Sequence, residues 1–142
     1  MYENVAGVTL DWPYRLSDVI NYSLNTKGKI LYEKWQEKKK NGEFEYLRVN
    51  VGTDRGSSPG VPYTLEIWPP SKGSPIHSHG NAYTVEKVLY GEIKFTIYNK
   101  AWHKEENEEE LMSFTAKQGD VSWMSPNWYQ THKLKNESNE LF

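Results

Sequence analysis

Gly73-Ser74-Pro75-Ile76-His77-Ser78-His79-Gly80-Asn81-Ala82-Tyr83-Thr84-Val85-Glu86-Lys87-Val88-Leu89-Tyr90-Gly91 is the stretch around which this chain is organised. Two of the four histidines stand here, one residue apart. In an extended strand, residues i and i+2 project from the same face, so His77 and His79 stand side by side. Two neutral imidazoles at that spacing can chelate one divalent cation, with a third ligand supplied from elsewhere; His132 is the natural candidate. The bland reading is a pair of solvated histidines at a strand end. Gly73, Pro75 and Gly80 break the strand on both sides, and loop-edge strands are where open metal sites sit, which favours the metal. Beyond the pair, residues 83–90 and 93–98 read as two strands joined in a tight hairpin at Tyr90-Gly91.

Composition bounds the rest. A chain of 142 residues fits one domain, 1–142, with room for a core. A net charge of −2 gives no electrostatic case for nucleic acid. No apolar run approaches membrane-spanning length and the first residues lack a signal-peptide pattern, so the expectation is a soluble, cytoplasmic protein. The absence of cysteine removes disulfides and thiolate ligands, leaving nitrogen and oxygen to hold any metal. Six Trp and ten Tyr favour pleated, half-buried surfaces and lean towards β structure.

In chain order, residues 11–25 read as a helix with Ser17 as its N-cap, and residues 30–40 as a second that stops at Asn41-Gly42. The Lys38-Lys39-Lys40 run complements the dipole of that helix as a solvated last turn. From about residue 43 the pattern changes to strands: 44–51, 63–68 (stopped by Pro69-Pro70), 111–115, 121–124 and 131–134. Residues 52–60 and 102–110 read as loops, and 117–120 and Pro126-Asn127 as turns. Helices up to about 42 followed by short strands from 43 to 142 predict an all-β fold with short N-terminal helices, a small barrel or jelly roll. The turn before His132 brings its strand alongside the His-x-His strand.

These residues resemble the cupins, and among them the cysteine dioxygenase family of thiol dioxygenases. His77, His79 and Gly91, then Gly119, Pro126, His132 and Asn136, follow the two cupin motifs. Tyr46-Leu47-Arg48 looks like the family's Tyr-x-Arg, Trp68 lies nine residues before His77, and the stretch from Gly73 to His79 is similar to the family's Gly-Ser-x-Ile-His-x-His. The likeness spans roughly 46–136. It implies a cupin-type double-stranded β-helix, Fe(II) held by His77, His79 and His132, and Arg48 on a substrate carboxylate, with Tyr46 and Trp68 lining the pocket. The implied reaction adds both atoms of dioxygen to a small thiol, such as cysteine or 3-mercaptopropionate, to give a sulfinic acid. Three neutral histidines leave the cation's charge uncompensated and positions open on one side for thiolate and dioxygen. The oligomeric state, monomer or homodimer, is left open.

Two departures stand out. The family cysteine that crosslinks to a tyrosine falls at Thr84. The family's Ser-x-His-x-Tyr element begins thirteen residues after the third histidine, whereas ten residues follow His132 here. That leaves a longer parent chain, a substitute among Tyr63, Tyr83 and Tyr129, or a different activity. Glu86 lies seven residues after His79, on the face of Thr84, and as a fourth ligand would suit Mn, Ni, Fe or Zn in a non-thiol cupin such as a lyase, isomerase or other dioxygenase. A non-catalytic cupin that binds a small ligand or metal is the remaining alternative. Arg55 and His103 read as solvated loop residues, and Trp123 and Trp128, like Trp68, as core.

Overall fold

The computed structural model describes residues 16–42, 45–53, 62–99, 109–128 and 131–139. Two helices, α1 (Leu16–Asn25) and α2 (Ile30–Lys40), precede eight strands among the described residues. In order these are β1 (Leu47–Thr53), β2 (Pro62–Ile67), β3 (His77–Ser78), β4 (Thr84–Lys87), β5 (Glu92–Tyr98), β6 (Glu110–Lys117), β7 (Val121–Met124) and β8 (Thr131–Lys135). The expected all-β fold after short helices is the fold observed. Arg55, His103 and Tyr129, and residues 54–60 and 102–108 of the two expected loops, lie outside the described residues. No helix among those described is long and apolar enough to cross a membrane.

The second helix keeps its expected bounds because its stop signal is local. Asn41 N–H donates to Glu37 O and Gly42 N–H to Lys39 O, and Gly42 takes the positive φ of 72° that ends a helix cheaply only at glycine. Ser17, expected to cap α1, lies inside that helix instead, since Leu16 is already helical. Leu31 and Trp35, four apart and therefore on one helical face, are the buried residues of α2. Trp35 packs with Leu47 and Ile67, flanked by Leu24, Val49 and Leu65. The helices thus cover one face of the β1–β2 pair, and strand alternation turns Arg48 and Glu66 to the other.

Among the described residues three sheets form: β1 with β2, a four-stranded sheet in the order β3-β8-β5-β6, and β4 with β7. The expected hairpin at Tyr90-Gly91 is not there. β4 pairs with β7 (Thr84 opposite Met124, Val85 opposite Trp123), while β5 pairs with β6 and β8. The chain changes sheets at Gly91, whose φ is 68°, and that corner is bound to the β6–β7 turn rather than closed on itself. Gln118 N–H donates to Gly91 O, Gly119 N–H to Val88 O and Val88 N–H to Asp120 O. Turn residues announce a change of direction; they do not say which strand becomes the neighbour.

Alternation also corrects two tryptophans. On β7, Ser122 and Met124 point inward, so Trp123 lies on the outer face and is 40% exposed, and Trp128 is 63% exposed. Trp68 is core, packed with Ile93, Phe95, Ala116 and Leu134.

Candidate metal centre

Segment 72–78 runs antiparallel to β8, and this pairing assembles the site. Asn136 N–H donates to Lys72 O, Gly73 bridges Lys135, and Ser74 N–H donates to Leu134 O. Ser74 Oγ accepts in return from Leu134 N–H. Further along, His77 lies opposite His132 and Ser78 opposite Thr131. Between Ser74 and His77 the register slips by one residue at Pro75-Ile76, where proline has no N–H to lose. The bulge re-aims His77: its Nδ1 lies 3.0 Å from Pro75 O. With Nδ1–H donated to that carbonyl, Nε2 is the nitrogen left for a ligand.

His79 follows β3 rather than lying within it, yet its ring still joins the other two. Ring centroids are 5.1 Å apart for His77 and His79, 4.4 Å for His77 and His132, and 5.0 Å for His79 and His132. One ligand nitrogen from each lies within 4.8 Å of the others. Among the described residues these three form the group able to hold a metal ion. His79 Nε2 is buried without a hydrogen-bond partner, which suits a bound cation rather than solvent. Burial first, then the charges of His77 and Arg48, lowers the His79 pKa from its ordinary value and keeps the ring in the neutral, ligating form. The donor set, three imidazoles and no thiolate, fits a divalent transition metal.

The facing wall carries charge. Arg48 lies opposite Glu66 across β1–β2, with Nε 3.5 Å from Oε1, and the arginine side chain is 61% exposed. Burial raises the Glu66 carboxyl above the usual range, against the opposing pull of Arg48 and His77. Glu86, opposite Ser122 on β4–β7, is hydrogen-bonded to that serine and leaves Oε2 buried and unpartnered. It stands outside the three-histidine group. Burial, reinforced by the Glu66 charge, pushes its pKa up to about 7. Glu66 escaped the sequence reading, although its place opposite Arg48 followed from pairing the two strands.

The remaining expected residues are placed as follows. Tyr46 and Trp68 stack face to face, centroids 4.6 Å apart and planes 10° from parallel. Tyr46 and Val88 pack against the Trp68 core cluster, which shares β8 with His132 through Leu134. Trp68 O accepts from Asn136 Nδ2 at 2.9 Å, tying the tryptophan's backbone to the end of the same strand. Tyr83 is 77% exposed and Tyr63 half-buried on β2.

A family model for cysteine dioxygenase type I matches residues 31–141, from the second helix through all eight strands. That family is built on the cupin fold, and the strand-rich chain with two short leading helices agrees with it. With the match covering most of its length, the chain belongs to the cysteine dioxygenase type I family.

Proposed function

We propose that the protein is an Fe(II)-dependent thiol dioxygenase acting on a small carboxylate-bearing thiol, of the kind of cysteine or 3-mercaptopropionate. The observation that carries this reading is the convergence of His77, His79 and His132 with Arg48 on the facing wall, close enough for its charge to act on His79. The reaction is balanced without an external reductant. The thiol sulfur is oxidised, both oxygen atoms are retained, and RSH becomes RSO2H.

His77, His79 and His132 are assigned as metal ligands. Iron, when bound there, would supply Lewis acidity and electron transfer between thiol and dioxygen. Arg48 is assigned to the substrate carboxylate, for which the planar guanidinium offers a two-point match that lysine lacks. Its partial exposure leaves N–H groups that are not spent on Glu66. Tyr46 and Trp68 are assigned to the pocket wall, where their stacked rings keep water from the reacting end and hold the substrate in one orientation.

The test is oxygen uptake by iron-loaded protein with cysteine and with 3-mercaptopropionate, beside a His77→Ala control. Uptake matched by sulfinate and lost in the control supports the reading. A folded, iron-bound protein that consumes no oxygen with either thiol overturns it.

A further inference from the structure

Among the described residues β6 is an edge: β5 lies on one side of it and no described strand on the other. The strand is eight residues long and exposed throughout except at Ala116. Backbone N–H and C=O groups along such an edge are a template for another strand, and edges that stay single are guarded by proline or charge. Residues 111–116 have neither. A bulge at Leu111, where Ile97 pairs with Met112 but Tyr98 with Glu110, stands at the start of the strand and leaves 112–117 in regular register. The core side of β6 is open too. Ile93, Phe95 and Ile97 of β5 are buried, and opposite them stand Ala116, Phe114 and Met112. Ala116 is buried, whereas Phe114 and Met112 share its face and are exposed. Phe114 stacks on Phe95, centroids 5.1 Å apart and planes 3° from parallel, and still keeps surface to cover.

Charge decides what fits this edge. β6 is acidic where it starts, at Glu109-Glu110, and basic where it ends, at Lys117. A second β6 laid antiparallel sets acid against base at both ends, while a parallel one sets like against like. The edge is therefore complementary to itself. A two-fold axis perpendicular to the sheet keeps every side chain on its own face, so one residue must oppose its own equivalent. We infer that the protein forms a homodimer by pairing β6 with β6 of a second copy, centred on Phe114. In that register Met112 faces Ala116 of the copy, Ser113 faces Thr115, and Lys117 arrives at the bulged end beside Glu110. The exposed Phe114 and Met112 are covered by their counterparts, and the two four-stranded sheets join into one. The histidines lie on β3 and β8, beyond β5 from the contact, so each copy keeps its own centre.

Sedimentation velocity of the full chain tests the pairing. The parent is expected to be a dimer at about 100 μM, a concentration at which a micromolar contact is nearly saturated. Ser113 and Thr115 are exposed and on the face away from the core, so both can be changed without opening it. Ser113→Lys with Thr115→Lys sets lysines directly against lysines across the two-fold, and Ser113→Glu with Thr115→Glu does the same with carboxylates. Each double variant is expected to dissociate, with its Kd raised at least about tenfold. An equimolar mixture of the two recovers a dimer, now of one lysine chain and one glutamate chain, which also shows that both variants fold. Zn(II) affinity stays at the parent's value in each. A parent that is monomeric, or that grows beyond a dimer, overturns the pairing. So does a parent dimer that survives both double variants, since its contact then lies elsewhere. Two monomeric variants that stay monomeric when mixed overturn it as well.

Discussion

His77 and His132 are directly opposed across an antiparallel strand pair, with ring centroids 4.4 Å apart. One belongs to a two-residue strand and the other is fully buried on a five-residue strand. Their pairing makes the candidate metal centre a property of strand register as much as of the histidines themselves. A one-residue slip would turn one ring to the other face.

Replacing a ring removes a candidate ligand outright. His132→Ala is expected to weaken Fe(II) or Zn(II) binding by more than about 100-fold, beyond the loss usual for an outer hydrogen-bond partner. Competition with a chromophoric chelator measures it. Affinity equal to the parent's would remove His132 from the ligand set.

Register can be disturbed without touching a ligand. A Cβ on Gly73 would fall on the Leu134 carbonyl oxygen and crowd Lys135 Cα, both on the strand that carries His132. Gly73→Ala is expected to cost about 1–3 kcal/mol, as overpacking does, and to weaken metal binding by pushing the two strands apart. Urea unfolding with and without Zn(II) reports both effects. An unchanged metal affinity would show that the bulge at Pro75-Ile76 absorbs the shift.

Asn136 is fully buried and joins three segments. Its Nδ2 donates to Trp68 O, its Oδ1 accepts from Ser138 N–H and Oγ–H, and its own N–H donates to Lys72 O. Asn136→Ala strands the Trp68 carbonyl and opens a cavity, for a loss of about 2–4 kcal/mol. Thermal unfolding should show Tm lower by roughly 7–13 °C.

Arg48→Lys keeps the charge and loses the fork. For a carboxylate-bearing thiol, KM is expected to rise by about 10–100-fold with kcat little changed, the pattern of lost substrate binding. Steady-state oxygen uptake checks it. A fall in kcat at constant KM would assign Arg48 to the chemical step instead.

Glu86 sets a pH dependence with a definite sign. Its carboxyl is raised from 4.5 to about 7 in the fold, so between those values the folded protein holds a proton that the unfolded chain has released. Stability of the ligand-free protein therefore falls as pH rises through this window and levels off above it. The whole contribution is on the order of 3 kcal/mol. Glu86→Gln should flatten the decline in Tm between pH 5 and pH 8. A parent protein equally stable at both would contradict the buried carboxyl.

The sequence carried the local part of this structure. The stop at Asn41-Gly42, strand β7 and the meeting of His132 with the His-x-His pair were all legible, because each rests on neighbouring residues or on period-two alternation. Strand pairing was not legible. Tyr90-Gly91 has the composition of a hairpin turn, but the hydrogen bonds that decide its neighbour come from residues 118–120, far along the chain. The same limit hid Glu66, whose meaning depends on Arg48 opposite it and on Glu86 in a different strand pair. Trp123 and Trp128 were read as core from residue type, and alternation on β7 and the turn after it put them outside.

The partners of β3, β4 and β5 also determine when the centre can exist during synthesis. β3 waits for β8, β4 for β7, and β5 takes β8 as one of its two neighbours. Such pairings close long loops before they are rewarded, so folding is expected to be slow relative to helical proteins of this size. On the ribosome, His77 and His79 emerge well before His132 and have no fixed geometry until β8 arrives. A metal ion held by all three histidines can therefore be captured only once β8 has left the exit tunnel, so that loading is expected late in biogenesis rather than as a nucleus for folding.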